Sequence, residues 1–340
     1  MAAALEIAGE PGRTETMLAA VRTRWGAPEE VVELTRVPKP DLDDDQVLVR
    51  VRATSINRSD YHSIAAPMIL LRPMLGGFFR PKSRLVGGDF AGVVEGVGKD
   101  VTRFAPGDEV FGVRTGAFAE YVAARMLVQK PAVATFEEAA AVPAAGLTAL
   151  QALRDHGRLQ PGQSVLVNGA SGAVGTFAVQ LAKALGAGTV TAVCRTHNVE
   201  QARSLGADRV LDYTREDFTA GGERYDVIVD IAGSRPWRRL RRVLEPDGRL
   251  VLVGSQRSGN RLIGPLGHVL LTWVAARVSG RTAVMFVADV NLPDLEVLRD
   301  LLAAGKVKAA VERVYPFAEI AGALRTMGEG HARAKLVVRL

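Results

Sequence analysis

One run of this 340-residue chain is suited to holding phosphate. Val165-Leu166-Val167-Asn168 reads as an apolar strand that enters Gly169-Ala170-Ser171-Gly172-Ala173-Val174-Gly175, a G-x-x-G-x-x-G turn, with an amphipathic helix directly behind it. Small residues let backbone N–H groups approach a pyrophosphate, and a helix N-terminus adds its positive dipole end and unpaired donors. Gly175 would let the helix pack closely on the strand. A glycine triplet alone also describes a plain strand-to-helix turn. Strand, turn, helix and next strand in order make a dinucleotide site the better reading.

Which dinucleotide is read where the second strand ends, at Val193-Cys194-Arg195-Thr196-His197-Asn198. Sites for NAD place Asp or Glu there, on the ribose 2′-hydroxyl. Here no carboxylate is present and Arg195 stands where a 2′-phosphate would arrive. A guanidinium can bind that phosphate with paired charged hydrogen bonds, and Thr196 or Asn198 could add neutral ones. NADPH is the better reading, although the plainer role of a surface arginine also suits Arg195.

A second polar run, Asn57-Arg58-Ser59-Asp60-Tyr61-His62, holds candidate catalytic donors. Asn57, Tyr61 and His62 could steady a carbonyl oxygen as negative charge develops on it, and Tyr61 or His62 could help supply a proton. The same residues also suit a plainer role, with Tyr61 packed and His62 bonded to backbone. Metal chemistry is not expected. Five scattered histidines and one cysteine, Cys194, offer no convergent donor set for zinc. Without a metal an alcohol is a poor substrate, whereas a quinone or an enone can accept hydride if donors await the oxygen.

The elements that must position these residues fall into two patterns. Residues 17–135 read as short strands with glycine punctuation: Met17–Val21, Val31–Val37, Val47–Ala53, Val93–Gly98 and Asp108–Gly112. From about 136 the chain turns helical, at Glu137–Ala145 and Leu147–His156 with Gly146 between them. Strands at Ser164–Asn168, Val190–Cys194, Arg209–Leu211, Val227–Ile231, Leu250–Val253 and Ala283–Val287 then alternate with helices at Val174–Leu185, Val199–Leu205 and Trp237–Leu244. That alternation predicts an α/β, doubly wound parallel sheet over 136–287. The tail, 288–340, has helices at Leu295–Ala304 and Ala318–Gly328 and a last strand at Lys335–Leu340, and is expected to complete the β-rich domain. Residues 1–16 read as a flexible extension.

Hydrophobic residues are 48% and charged residues 24%, ordinary for a globular chain with a full core. The net charge is +6, but the basic residues are scattered. Arg238, Arg239, Arg241 and Arg242 alternate with Trp237 and Leu240 as the solvated face of a helix would, so nucleic acid is not an expected partner. No stretch approaches the apolar length of a membrane span, and a single cysteine fits a reducing, cytoplasmic compartment. The apolar stretches Ile64–Phe79 and Leu262–Val278, the latter with Trp273, could wall a pocket for a hydrophobic substrate, pack together, or meet a second subunit or a membrane surface.

From Met17 to Leu340 the chain resembles the zinc-independent, quinone-oxidoreductase-like members of the medium-chain dehydrogenase/reductase superfamily. The resemblance rests on Asn57-Arg58-Ser59-Asp60, Gly88-Asp89-Phe90-Ala91-Gly92-Val93-Val94, Phe104–Val110, Gly116–Tyr121, Ala139–Pro143, Gly146–Ala149, the glycine turn, Ser204–Asp208, Ala304–Val307 and Gly330–Lys335. It implies a GroES-like catalytic domain formed by both chain ends, an inserted Rossmann domain, an active site in the cleft and a homodimer through the Rossmann sheet edge. It places Ser171, Gly172, Ala173 and Val174 on the pyrophosphate, Arg195 on the 2′-phosphate and Tyr213 on the adenosine side. Gly254 and Phe286–Ala288 would lie near the nicotinamide half, with Thr148 also at the cofactor and Asn57 facing nicotinamide or substrate. Lys335 could reach a phosphate, though relatives more often carry Gly where Ala334 stands. Zinc-dependent cousins carry Cys in the segment Ser55-Ile56-Asn57 and a His-Glu pair near Gly88-Asp89, and neither ligand type is present here. Some relatives look like NADPH-binding regulatory or nucleic-acid-binding proteins with little turnover, which is the alternative to an enzyme.

Overall fold

The computed structural model describes residues 15–66, 81, 83–254, 266–330 and 332–340. In chain order the elements are β1 (Thr16–Arg22), α1 (Pro28–Val31), β2 (Val32–Pro38), β3 (Val47–Ile56), α2 (Arg58–Ala65), β4 (Asp89–Val97), β5 (Glu109–Val113), β6 (Tyr121–Ala124), β7 (Met126–Gln129), α3 (Phe136–Ala140) and α4 (Pro143–Gln151). A π-helical turn, Ala152–His156, leads to β8 (Ser164–Asn168), α5 (Ala173–Ala184), β9 (Thr189–Cys194), α6 (Val199–Ser204), β10 (Arg209–Asp212), β11 (Tyr225–Asp230), α7 (Trp237–Val243), β12 (Leu244–Leu252), α8 (Leu266–Val278) and β13 (Thr282–Met285). The chain ends with α9 (Leu292–Ala303), β14 (Val311–Pro316), α10 (Ile320–Glu329) and β15 (Lys335–Arg339).

Among the described residues three sheets form. A seven-stranded sheet runs β14-β15-β3-β4-β5-β7 with β6 also on β3, β1 and β2 make a separate hairpin, and a six-stranded sheet runs β10-β9-β8-β11-β12-β13. β15 pairs antiparallel with β3, so the tail closes onto a strand laid down near the start of the chain. In β3 the alternation of buried Val47, Val49 and Val51 with exposed Arg50 and Arg52 sets one face inward. The six-stranded sheet is parallel throughout. Its central strands are apolar on both faces, as Val165, Leu166 and Val167 are in β8, because helices cover both sides. This is the doubly wound architecture expected, joined to a β-rich GroES-like domain.

Three local expectations change. Gly146 does not separate two helices but lies inside α4, which Pro143 starts from its first position. A Cβ there would lie 3.0 Å from Leu298 of α9, so the glycine serves helix–helix approach. Trp273 of α8 packs against the parallel sheet's own core, beside Trp237 and Leu240, instead of walling a cleft. Order also begins before Met17: Thr16 pairs with Pro38, and the Glu15 carboxylate meets Lys39 at 3.0 Å. Most of the expected extension 1–16 and of the stretch Ile64–Phe79 lies outside the described residues, as does the start of Leu262–Val278. The arginines of α7 are exposed over buried Trp237 and Leu240, as the alternation predicted.

Candidate active site

The glycine turn has the geometry of a phosphate cradle. Gly169 leaves β8 at φ +94°, in the left-handed region that a side chain disfavours. A Cβ on Gly175 would come within 2.2 Å of the Gly169 carbonyl and 2.7 Å of Ala170, so only glycine lets α5 start this close to the strand. Gly172 caps the twelve-residue α5 with no side-chain hydrogen bond, leaving the first helical N–H groups without a partner from the cap. Ser171, Gly172, Ala173 and Val174 are half-buried around that opening. A dinucleotide pyrophosphate fits this donor set.

At the neighbouring strand end Arg195 is exposed, and its Nε donates to the Tyr213 hydroxyl at 3.2 Å, so the two residues assigned to the adenosine side do meet. Asn198, offered as a donor, is instead buried. Sequence reasoning missed Asp212, at the end of β10, whose carboxylate accepts from the Thr196 and Thr214 hydroxyls. Those hydrogen bonds, Thr196 first, hold its carboxyl below the usual range. It therefore fixes Thr196 beside Arg195. Cys194 is buried behind them, its thiol pushed up to about 11 by desolvation and then by Asp212, and is not a reactive thiol.

Thr148 is half-buried on α4 and its hydroxyl returns to the Ala144 carbonyl at 2.7 Å. Gly254 follows β12, where a Cβ would sit 3.1 Å from the Ile231 carbonyl. Phe286 lies just past β13 with its ring 4.2 Å from that of His156. Between β8 and β12, Asp230 ends β11 fully buried. It accepts from Asn168 at 2.6 Å and from the Gly233 N–H, and its second oxygen has no hydrogen-bond partner among the described residues. Burial raises that carboxyl to about 6.

The catalytic-domain side centres on Asn57, which caps α2. Its backbone N–H donates to Asp60 at 2.7 Å, a capping box that starts the helix. Its side-chain amide donates to Asp89 Oδ2 at 2.9 Å and accepts from Lys335 Nζ at 2.6 Å. Asp89 is wholly buried and also takes the Ser55 hydroxyl, the Ala144 N–H and, at 3.3 Å, Lys335. Asp60, nearly buried, has its carboxyl pushed up to about 7, first by desolvation and then by the charge of Asp89.

Lys335, expected to reach a phosphate, spends its ammonium in this structure on protein oxygens. Its side chain is 0% exposed, and its ammonium is turned onto Asn57 and Asp89, which offer it two oxygens in a dry site. The contact with the glycine turn is made by its neighbour: the Ala334 N–H donates to the Ser171 carbonyl at 2.8 Å. Ala334 adopts φ +54°, which explains why glycine suits that position. Tyr61 lays its ring against Gly328 of α10, where a Cβ would approach it to 2.3 Å, so packing accounts for it. His62 has a buried Nδ1 with no hydrogen-bond partner among the described residues, and desolvation, then Arg58, lowers its pKa. Both causes disfavour the imidazolium. Asn57 is thus the candidate donor that the structure brings into contact with the strand flanking the glycine turn.

Comparison with known proteins agrees with this architecture. Residues 43–152 match the alcohol dehydrogenase GroES-like domain family, and residues 205–338 match the family described as zinc-binding dehydrogenase. A chloroplastic quinone-oxidoreductase homologue of Spinacia oleracea is 30% identical, over 92% of this chain and 95% of its own. The 2-methylene-furan-3-one reductase of Solanum lycopersicum is 31% identical, over 93% and 77% respectively. The solved quinone oxidoreductase of Coxiella burnetii superposes with a TM-score of 0.82 at 30% identity, covering 96% of this chain and all of that one. No helix among the described residues is long and apolar enough to cross a membrane. The chain is an oxidoreductase of the medium-chain dehydrogenase/reductase superfamily and belongs to its quinone-oxidoreductase-like branch.

Proposed function

We propose that this oxidoreductase is a zinc-independent, NADPH-dependent reductase of quinones or α,β-unsaturated carbonyls. The observation that carries the reading is the half-buried Asn57 amide. Its nitrogen donates to Asp89, with the Asp60 carboxylate also within its reach, and its oxygen accepts from Lys335, so a half-buried N–H donor is fixed in one orientation beside the strand start that meets the glycine turn. When bound, NADPH supplies hydride from its dihydronicotinamide ring. The protein's part is to orient the acceptor and to meet the negative charge that develops on its oxygen with a donor already in place. His62, half-buried on the same helix, can add a hydrogen bond, and Tyr61 packs against α10.

The preference for NADPH rests on Arg195, with Thr196 held beside it by Asp212 and no acidic residue from Val193 to Asn198. The activities for which two relatives are named, on a quinone and on a furanone bearing a conjugated methylene, support the acceptor class. Zinc independence rests on the segments Ser55-Ile56-Asn57 and Gly88-Asp89-Phe90, which hold neither the Cys nor the His-Glu pair that zinc-dependent cousins carry there. Exposed Leu271 and Val278 on α8 and Val287 beside edge strand β13 support a homodimer through that edge.

The test follows NADPH absorbance with 1,4-benzoquinone, 3-penten-2-one and, in reverse with NADP, ethanol. Oxidation by the conjugated acceptors and none of ethanol is expected, with Asn57→Ala lowering turnover by about 100- to 1,000-fold. Tight NADPH binding with no acceptor reduced would refute the enzyme reading in favour of a cofactor-binding regulator. Turnover of ethanol alone would refute the acceptor class.

A further inference from the structure

The contacts of Lys335 assign it a role at the acceptor rather than at the cofactor phosphates. An ammonium has donors only and a carboxylate has acceptors only. Set between Lys335 Nζ at 2.6 Å and Asp89 Oδ2 at 2.9 Å, the Asn57 amide has one allowed orientation, oxygen to the lysine and nitrogen to the aspartate. Flipping it would set N–H against ammonium and oxygen against carboxylate. Lys335 and Asp89 are both 0% exposed and touch each other at 3.3 Å, so solvent does not screen that preference. Ser55 and the Ala144 N–H complete the hydrogen bonding of Asp89 and hold it still. The next residue back, Ala334, is bonded to Ser171 in the glycine turn.

We propose that Lys335 is a positioning residue. It locks the Asn57 amide in one orientation, nitrogen turned away from the ammonium, so that the amide serves as an N–H donor to the acceptor, and the strand start at Ala334-Lys335 ties that amide in register with the cofactor cradle. This rests on the reading of Asn57 as the oxyanion donor. The residue's nearness to the glycine turn suggests a phosphate ligand, but its ammonium is spent on the far side of the strand start, on groups from α2 and β4.

The experiment is a double-mutant cycle between Lys335→Met and Asn57→Ala, measured with NADPH and 1,4-benzoquinone, with NADPH affinity read separately by cofactor fluorescence. Lys335→Met should lower turnover by about 10- to 100-fold, the scale of a misdirected catalytic group, while the Kd for NADPH changes by less than about twofold. In the Asn57→Ala background the lysine substitution should add nothing further. A rise in Kd of about tenfold or more would overturn the inference and restore the phosphate role. Losses that multiply in the double variant would overturn it while leaving Asn57 as a donor. Normal turnover of Asn57→Ala would remove the donor reading and this inference with it.

Lys335→Met strands a buried Asp89. Should that variant fail to fold, Lys335→Met with Asp89→Asn removes the ammonium from a neutral site, with the same outcomes expected. An arm that needs no acceptor follows the Asn57 side-chain amide by NMR, its signals identified by their loss in Asn57→Ala. They should move on removing the lysine, and unmoved signals would overturn the lock.

Discussion

Asp60 gives the site a stability cost that pH should reveal. It is the third residue of α2, 7% exposed, and accepts the Asn57 backbone N–H. Around it lie Asp89 from β4 and Lys335 from β15, so when Asp60 ionises the cluster holds two carboxylates against one ammonium. Its carboxyl, ordinarily at 3.8, is raised to about 7, by desolvation foremost. In the unfolded chain the group loses its proton near pH 4. The folded state therefore keeps a proton that the unfolded state has released over the interval from about 4 to 7. Stability from this residue is complete below pH 4, declines as pH rises to about 7 and is constant above it.

At about 1.36 kcal/mol per pKa unit the full cost is at most about 4 kcal/mol. Asp60→Asn keeps a carbonyl oxygen for the Asn57 N–H and cannot ionise. The variant should therefore gain on the wild type as pH rises from 5 to 8, by about 1–3 kcal/mol once the cluster relaxes. The assay is urea unfolding of both proteins at the two pH values, read as the change in their difference, so that other titrating groups cancel. A pH-independent difference would refute the reasoning. So would a wild type that gains on the variant as pH rises, because Asp60 would then be stabilised as a carboxylate.

Two further expectations concern the cofactor. Arg195→Ala should weaken NADPH by about 1.5–3 kcal/mol, the scale of a charge-assisted contact, and leave NADH nearly unchanged; equal losses in calorimetric titration would remove the 2′-phosphate assignment. Gly175→Ala would gain up to about 1 kcal/mol in helix propensity but drives a methyl to 2.2 Å from the Gly169 carbonyl. Overpacking should win by about 1–3 kcal/mol, lowering the melting temperature and weakening both cofactors, whereas an unchanged NADPH Kd would show that the cradle tolerates the shift.

What was legible in the sequence was local. The glycine turn, the strand before it and the helix after it occupy one continuous run, so spacing alone placed Gly169, Gly172 and Gly175. The Arg195–Tyr213 pair needed only the register of adjacent strands β9 and β10. Lys335 needed more. Its partner Asn57 is 278 residues away and is reached only because β15 pairs with β3, so the Gly330–Lys335 stretch alone could not show that the ammonium meets Asn57 and Asp89. Tyr61 and His62 share a polar run with Asn57, yet α10 packing against the tyrosine decides what they do, and no local spacing encodes that. A signal for Asp89 and Asp60 did exist. Asp89 stands in Gly88-Asp89-Phe90-Ala91-Gly92-Val93-Val94, where a lone carboxylate requires a buried cation or donors nearby that the one lysine in the closing strand could supply, and Asp60 is the third residue after Asn57, where a capping box places an acid.

The last expectation concerns metal, where the description of one matched family points toward zinc. Zinc takes three or four N, S or O donors converging at about 2.0–2.3 Å. The oxygens that gather in the site, Asn57 Oδ1 and Asp89 Oδ2, both face Lys335 Nζ, so their lone pairs already surround a cation. A zinc ion placed there would have to displace a buried ammonium and leave it unpaired, at the cost of several kcal/mol. Among the described residues the histidines are dispersed as well. His62 lies on α2, His156 packs against Phe286, His197 follows Arg195 and Thr196 after β9, and His268 lies on α8. Purified protein should therefore carry far less than one zinc per chain by elemental analysis, and prolonged dialysis against a chelator should leave quinone turnover intact. About one zinc per chain, with activity lost on chelation and restored by zinc, would show that Lys335 yields its place to a metal and that its contacts here belong to a metal-free state.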